Sequence, residues 1–160
     1  MTKTASISPA IIASLYEEAL LLADEARAAF ALAQDPDLLA PDTYPAAEGP
    51  ARVALSCEAL RTTTRMMHAI AWLLNHRAHF AGDLSEFQLR RNGRLPPPQP
   101  EGDPAQLALL DLATLDLVDR TRAFYQRIAR LDQAWHAGYA MQPSAVERLR
   151  ERVDRAFMAR

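Results

Sequence analysis

Between Val53 and Ala78 the chain repeats one pattern without a break: Val53, Cys57, Leu60, Thr64, Met67, Ala71, Leu74 and Ala78 follow one another in alternate steps of four and three. Such steps straddle the helical turn of about 3.6 residues, so all eight side chains fall on one face of an α-helix. A strand would need a period of two, and nothing in this stretch has it. The pattern predicts a helix over residues 51–81, about 40 Å long at its striped part, with the stripe turned toward a core.

Two more blocks carry the same signature. Ile12, Leu15, Ala19, Leu22, Ala26 and Ala29 recur behind Ser8 as a cap and Pro9 in the first turn, where a missing N–H has no helical partner to lose. They predict a helix over residues 9–33. Leu107, Leu110, Thr114, Leu117, Thr121, Phe124, Ile128, Leu131 and Trp135 follow Asp103, Pro104 and Gln106 in the same way. They predict a helix over residues 104–137, bent near Ala113 and Thr114 and ended by Gly138.

Only 5 glycines stand against 11 prolines, and the prolines gather between these blocks. Residues 34–50 and 93–103 therefore read as proline-rich linkers, the second stiffened by Pro96, Pro97 and Pro98. Gly82 stops the second helix, and Asp83 with Glu86 reads as a capping box that opens a short helix over residues 84–91. From Pro143, Val146, Leu149, Val153 and Phe157 share one face and Arg148, Arg152 and Arg155 another, an amphipathic helix over residues 143–158. The expected architecture is all-α and one domain over residues 1–160. It is an antiparallel three-helix bundle, up-down-up, with a short connecting helix and a C-terminal amphipathic helix.

Several function classes fall away. No apolar run nears the roughly 18 residues of a membrane span, and the first residues lack the charged and apolar regions of a secretory leader, so a cytoplasmic protein is expected. Cys57 is the sole cysteine, which excludes an internal disulfide and a Cys-rich zinc site; on the core stripe it reads as a buried, inert thiol. The net charge of −2 makes nucleic acid an unlikely partner. From Arg120 onward, however, nine arginines stand against four acids, and an alternative reading is a DNA-associated regulator using this C-terminal third. Against it, Glu147, Glu151 and Asp154 interrupt the basic run.

Catalytic patterns are missing as well: no Gly-rich phosphate loop, no nucleophile elbow and no paired Glu-x-x-His are present. His76 and His79 share a helix face, and Asp132 and His136 stand four apart, but neither set has a third ligand. Together with His68 they read as solvated surface residues, with a metal enzyme around His76 and His79 as the alternative. The expectation is a protein without cofactor, metal or catalytic activity.

What remains is a polar stripe beside the apolar one on the second helix: Glu58, Arg61, Arg65, His68, Trp72 and His79. In one reading Arg61 and Arg65 bridge to Glu18 and Glu25 of the first helix. In the other, arginine beside tryptophan forms a partner-binding hot spot. The candidate partner-binding residues are Glu58, Arg61, Arg65, Trp72 and Arg77, with Phe87, Arg90 and Arg91 of the short helix as a second patch.

The segment CEALRTTTRMMHAIAWLLNHRA resembles the signature helix of the RcdA-like family, the bacterial regulators of CtrA degradation, at Glu58, Arg61, Thr63, Thr64, Arg65, Met67, Ala71, Trp72, Leu73, Leu74, Arg77 and Ala78. A weaker likeness lies at Tyr125, Arg127, Ala129, Arg130, Leu131 and Asp132, so the resemblance spans roughly residues 8–132. It implies a three-helix bundle that forms a homodimer and serves as an adaptor of the AAA+ protease ClpXP. Such an adaptor carries cell-cycle regulators as proteolysis substrates, together with a response-regulator-type adaptor and a cyclic-dinucleotide-binding partner. The chain departs from that family where a flexible tail is expected, since residues 143–158 carry a helical stripe instead.

Overall fold

A computed structural model describes residues 7–33 and 45–140, and among them every regular element is helical. The elements are α1 (Pro9–Ala33), α2 (Pro45–Ala81), α3 (Glu86–Asn92), α4 (Pro104–Leu107) and α5 (Leu112–Ala140). The all-α bundle expected from the periodicity is present, and α1 has the predicted bounds. Its start is capped by Ser8, whose Oγ accepts from the Ile11 N–H at 3.3 Å.

The path of the chain through the bundle differs from up-down-up. Arg77, near the end of α2, stacks 4.3 Å over the Tyr16 ring near the start of α1, so these two helices are antiparallel. Glu18 pairs with Arg127 and Glu25 with Arg120, which makes α1 antiparallel to α5 as well. Contacts between α2 and α5 ascend together, Arg65 with Thr121 and Trp72 with Asp132, so these two helices run the same way. The chain must therefore return the length of the bundle between them.

The proline-rich segment makes that return and is more than a spacer. The Leu95 N–H donates to Asp132 Oδ1 at 3.4 Å, and the Tyr125 hydroxyl donates to the Pro96 carbonyl at 2.6 Å. At the far end Gly102 lies against Glu58 and Arg61. Polyproline conformation rises about 3.1 Å per residue, so Leu95 to Gly102 covers roughly 22 Å without needing backbone partners of its own.

Several boundaries also move. Helix α2 begins at Pro45, inside the predicted linker, and holds Pro50 within its early turns. Gly82, at φ +86°, ends it, with the Asp83 and Leu84 N–H groups returning to the Ala78 carbonyl. Asp83 thus belongs to the end of α2. The capping box of α3 is formed by Ser85 and Gln88 instead, with the Gln88 N–H donating to Ser85 Oγ at 3.2 Å and the Ser85 N–H to Gln88 Oε1 at 2.9 Å. The predicted third helix breaks at residues 108–111, where Asp111 accepts from both the Thr114 N–H and hydroxyl to open α5. Gly138 does not end that helix, which runs to Ala140. The predicted helix over residues 143–158 lies outside the described residues.

The largest correction concerns the rotation of α2. Of the stripe assigned to the core, Val53 is 56% exposed, Leu60 68%, Met67 63% and Leu74 45%, and Cys57 is only half-buried. Facing inward are Leu55, Glu58, Thr62, Arg65, Met66, Ala69, Trp72, Leu73 and His76. They meet Ile12, Ala19, Leu22 and Phe30 of α1 and Leu117, Val118, Phe124 and Ile128 of α5. Asp132 ties three elements together, accepting from the Trp72 indole N–H at 2.8 Å as well as from Leu95. Replacing Asp132 by Ala orphans these buried donors, and stability should fall by about 1–3 kcal/mol for each one left unpaired. Denaturant unfolding checks this, and an unchanged midpoint would contradict the assigned role.

Candidate functional site

The signature segment of α2 builds a buried ionic cluster. Glu58 is 1% exposed, and its carboxylate lies 3.5 Å from Arg61 Nη1, 3.6 Å from Arg65 Nη2 and 3.7 Å from Arg122 Nη2 of α5. The spacing explains the geometry: residues 58, 61 and 65 are one and two turns apart on one helical face. Arg65 reaches across the interface, donating to Thr121 Oγ1 at 2.7 Å and to Thr62 Oγ1 at 3.3 Å, while the Thr121 hydroxyl donates to the Val118 carbonyl at 2.8 Å. Burial pulls the Arg65 guanidinium below its ordinary range, and the Glu58 carboxylate opposes that shift.

Gly102 covers this cluster. A Cβ there would sit 3.1 Å from Glu58 Oε2 and 3.3 Å from Arg61 Nη1, so the absence of a side chain lets the crossover lie directly on the ion pair. Removing the one carboxylate leaves the buried Arg65 guanidinium uncompensated, with the half-buried Arg61 and Arg122 beside it. Glu58→Gln, which keeps the shape, should destabilise the fold by about 3–5 kcal/mol. In denaturant titration, a loss below ~1 kcal/mol would show that the cluster is not what holds α2 to α5.

One turn beyond lies an aromatic and histidine cluster. Trp72 and His76 have ring centroids 3.8 Å apart, and Trp135 meets His76 edge-on at 5.3 Å and His79 at 5.8 Å. His76 is 1% exposed, which corrects its reading as a surface residue. Its Nδ1 lies 3.0 Å from the Trp72 carbonyl, an acceptor, so Nδ1 carries the proton of the neutral ring. Among the described residues no three His, Cys, Asp or Glu side chains are grouped to hold a metal ion.

Burial pushes the His76 pKa below its ordinary value of 6.5, against the pull of the Trp72 carbonyl and Asp132. The folded protein thus disfavours a proton that the unfolded chain accepts. The stability His76 contributes is complete above pH 6.5 and is lost as pH falls from there through its lower folded pKa. Melting temperature should drop over that window in the native protein and drop less in His76→Phe; parallel curves for the two would contradict this assignment.

The predicted partner-binding residues thus divide. Glu58, Arg65 and Trp72 are interior and offer nothing to a partner, while Arg61 is half-buried at the edge of the cluster. Glu18 and Glu25 do not bridge to Arg61 and Arg65 as anticipated but to Arg127 and Arg120 of α5. Arg77 is exposed and stacked on Tyr16. Phe87 is 71% exposed on α3, beside Arg91 and beside Arg90, which pairs with Glu86 at 3.8 Å. Of the arginines counted toward a basic C-terminal third, Arg120, Arg122 and Arg127 are each tied to carboxylates. The contributions of Thr62, Arg122 and Gly102 carry no signal in the sequence, whereas Thr121 already stood on the inward stripe of the third helix.

The fold and this cluster define a small all-α crossover bundle whose most distinctive polar residues are structural. The chain belongs to the family described as protein of unknown function (DUF1465), whose model matches residues 3–157. No curated protein and no solved structure matches it. No helix among the described residues is long and apolar enough to cross a membrane.

Proposed function

We propose that this protein is a non-catalytic adaptor of the RcdA-like kind, working in the cytoplasm as a homodimer and presenting proteolysis substrates to the AAA+ protease ClpXP, in concert with a response-regulator-type adaptor. The observation that carries this reading is the display of Phe87. The helix that bears it is held firmly, capped by Ser85 and Gln88 and anchored by Leu89, which is 2% exposed, yet Phe87 itself is turned out at 71% exposure. A large aromatic on a rigid element, with Arg91 alongside, has the composition of an interaction hot spot.

Adaptor physics supports the same reading. Holding protease and substrate on one scaffold raises their mutual concentration to roughly the mM range for short tethers, so weak surface contacts suffice and no reaction centre is required. Likeness of the α2 segment to the RcdA-like signature supports it further. The test is a pull-down from native lysate with slowly hydrolysed nucleotide, comparing the tagged native protein with Phe87→Ala. Recovery of the ClpX unfoldase is expected with the native protein and should fall by about tenfold or more with the variant, as loss of a hot-spot side chain gives. Failure to recover ClpX from an active lysate, or equal recovery with both proteins, would contradict the reading.

A further inference from the structure

The crossover between α3 and α4 is fastened to the bundle at its two ends. Leu95 is buried and donates its N–H to Asp132, the Pro96 carbonyl accepts from Tyr125, and Gly102 lies against Glu58 at the other end. From Pro96 to Glu101 the side chains between these anchors are exposed, apart from the half-buried Gln99. Each of residues 95–100 is either a proline or the neighbour ahead of one. A proline ring fixes φ near about −65°, and the residue ahead of a proline is driven to extended backbone, so with every peptide bond trans the run takes the polyproline II form of about three residues per turn.

That period divides the strap into three lines, of which one is wholly outside. Arg94, Pro97 and Pro100 fall on it, and all three are exposed. Each of the other lines is broken by an anchor, Leu95 in one and Gly102 in the other. The outer line reads Arg-x-x-Pro-x-x-Pro, a cation followed at each turn by a proline ring. Unlike Arg90, which pairs with Glu86, Arg94 meets no carboxylate among the described residues. Stiffness alone accounts for less than this. A spacer needs extended backbone between its anchors, and it does not need exposed rings in phase with an exposed cation.

We infer that the crossover strap is a docking ligand for a proline-reading domain, one whose groove is lined by aromatic rings that receive Pro97 and Pro100 and is flanked by a carboxylate that receives Arg94. Such grooves recognise polyproline ridges because the extended form is already set before contact, and a carboxylate at one end fixes the direction in which the ridge lies. Here both ends of the ridge are tied to the bundle as well, so it enters a groove without the loss of freedom that a loose peptide suffers. The inference goes beyond the proteolysis reading and is independent of it.

The experiment uses the full chain and, as probe, an isolated SH3 domain with acidic residues beside its aromatic groove. Titration calorimetry at low salt should show saturable binding. Pro97→Ala with Pro100→Ala should weaken it by about tenfold or more, and Arg94→Glu should do likewise by setting like charge against the groove. Helical circular dichroism should stay unchanged in both variants, since these side chains are exposed and none is an anchor. Pro98→Ala separates recognition of the outer line from mere stiffness: it removes a ring from the same run but off that line, and should change the affinity by less than about twofold. Absence of binding at about 1 mM probe, undiminished binding by either variant, or a loss with Pro98→Ala as large as with the pair would each overturn the inference. None of these outcomes bears on the recovery of ClpX, so the two readings fail separately.

Discussion

A single carboxylate sets the rotation of the longest helix. Glu58 is buried at 1% exposure among the buried Arg65 and the half-buried Arg61 and Arg122, and a buried charge is tolerable only when opposite charge lies against it. Once Arg65 must reach both Glu58 and the Thr121 hydroxyl, α2 can turn only one way about its axis toward α5. The same rotation carries Trp72 to Asp132 and stacks His76 beneath it. It also leaves little room where the crossover passes over the cluster, and Gly102 stands there, where a Cβ would sit 3.1 Å from Glu58 Oε2.

The consequence for function is an exchange of faces. Residues that look like a binding patch in sequence, with glutamate, arginine and tryptophan in one stripe, become the interior. Residues that look like a core, with leucine and methionine at heptad spacing, become the exterior. What such a molecule presents outward is apolar helix surface and Phe87 on its small capped helix, while its polar chemistry is committed to holding the bundle together.

Much of the fold was legible in advance because helix periodicity and capping are local. The bounds of α1, the stop at Gly82 and the existence of α3 follow from residues within a turn of each other. The rotation of α2 was not legible, because hydropathy alone prefers Leu60 and Met67 to Glu58 and Arg65 in a core. Only their long-range partners on α5 reverse that order. The parallel course of α2 and α5 was hidden for a related reason: a proline-rich segment is compatible with a free spacer, and its packing depends on Asp132 and Tyr125, some 30 residues further on. Of the candidate site, Phe87, Arg90, Arg91 and Arg77 do stand at the surface.

The central claim is that Arg65 points into the bundle and is bound to Thr121 of α5. A double-mutant cycle on Arg65→Met and Thr121→Val, read by denaturant unfolding, measures that contact directly. The two changes should be non-additive, with a coupling energy of about 0.5–3 kcal/mol, as for residues in direct contact within one buried network. Additivity within a few tenths of a kcal/mol, as for side chains that never meet, would mean that α2 is rotated the other way and that its apolar stripe is the core after all.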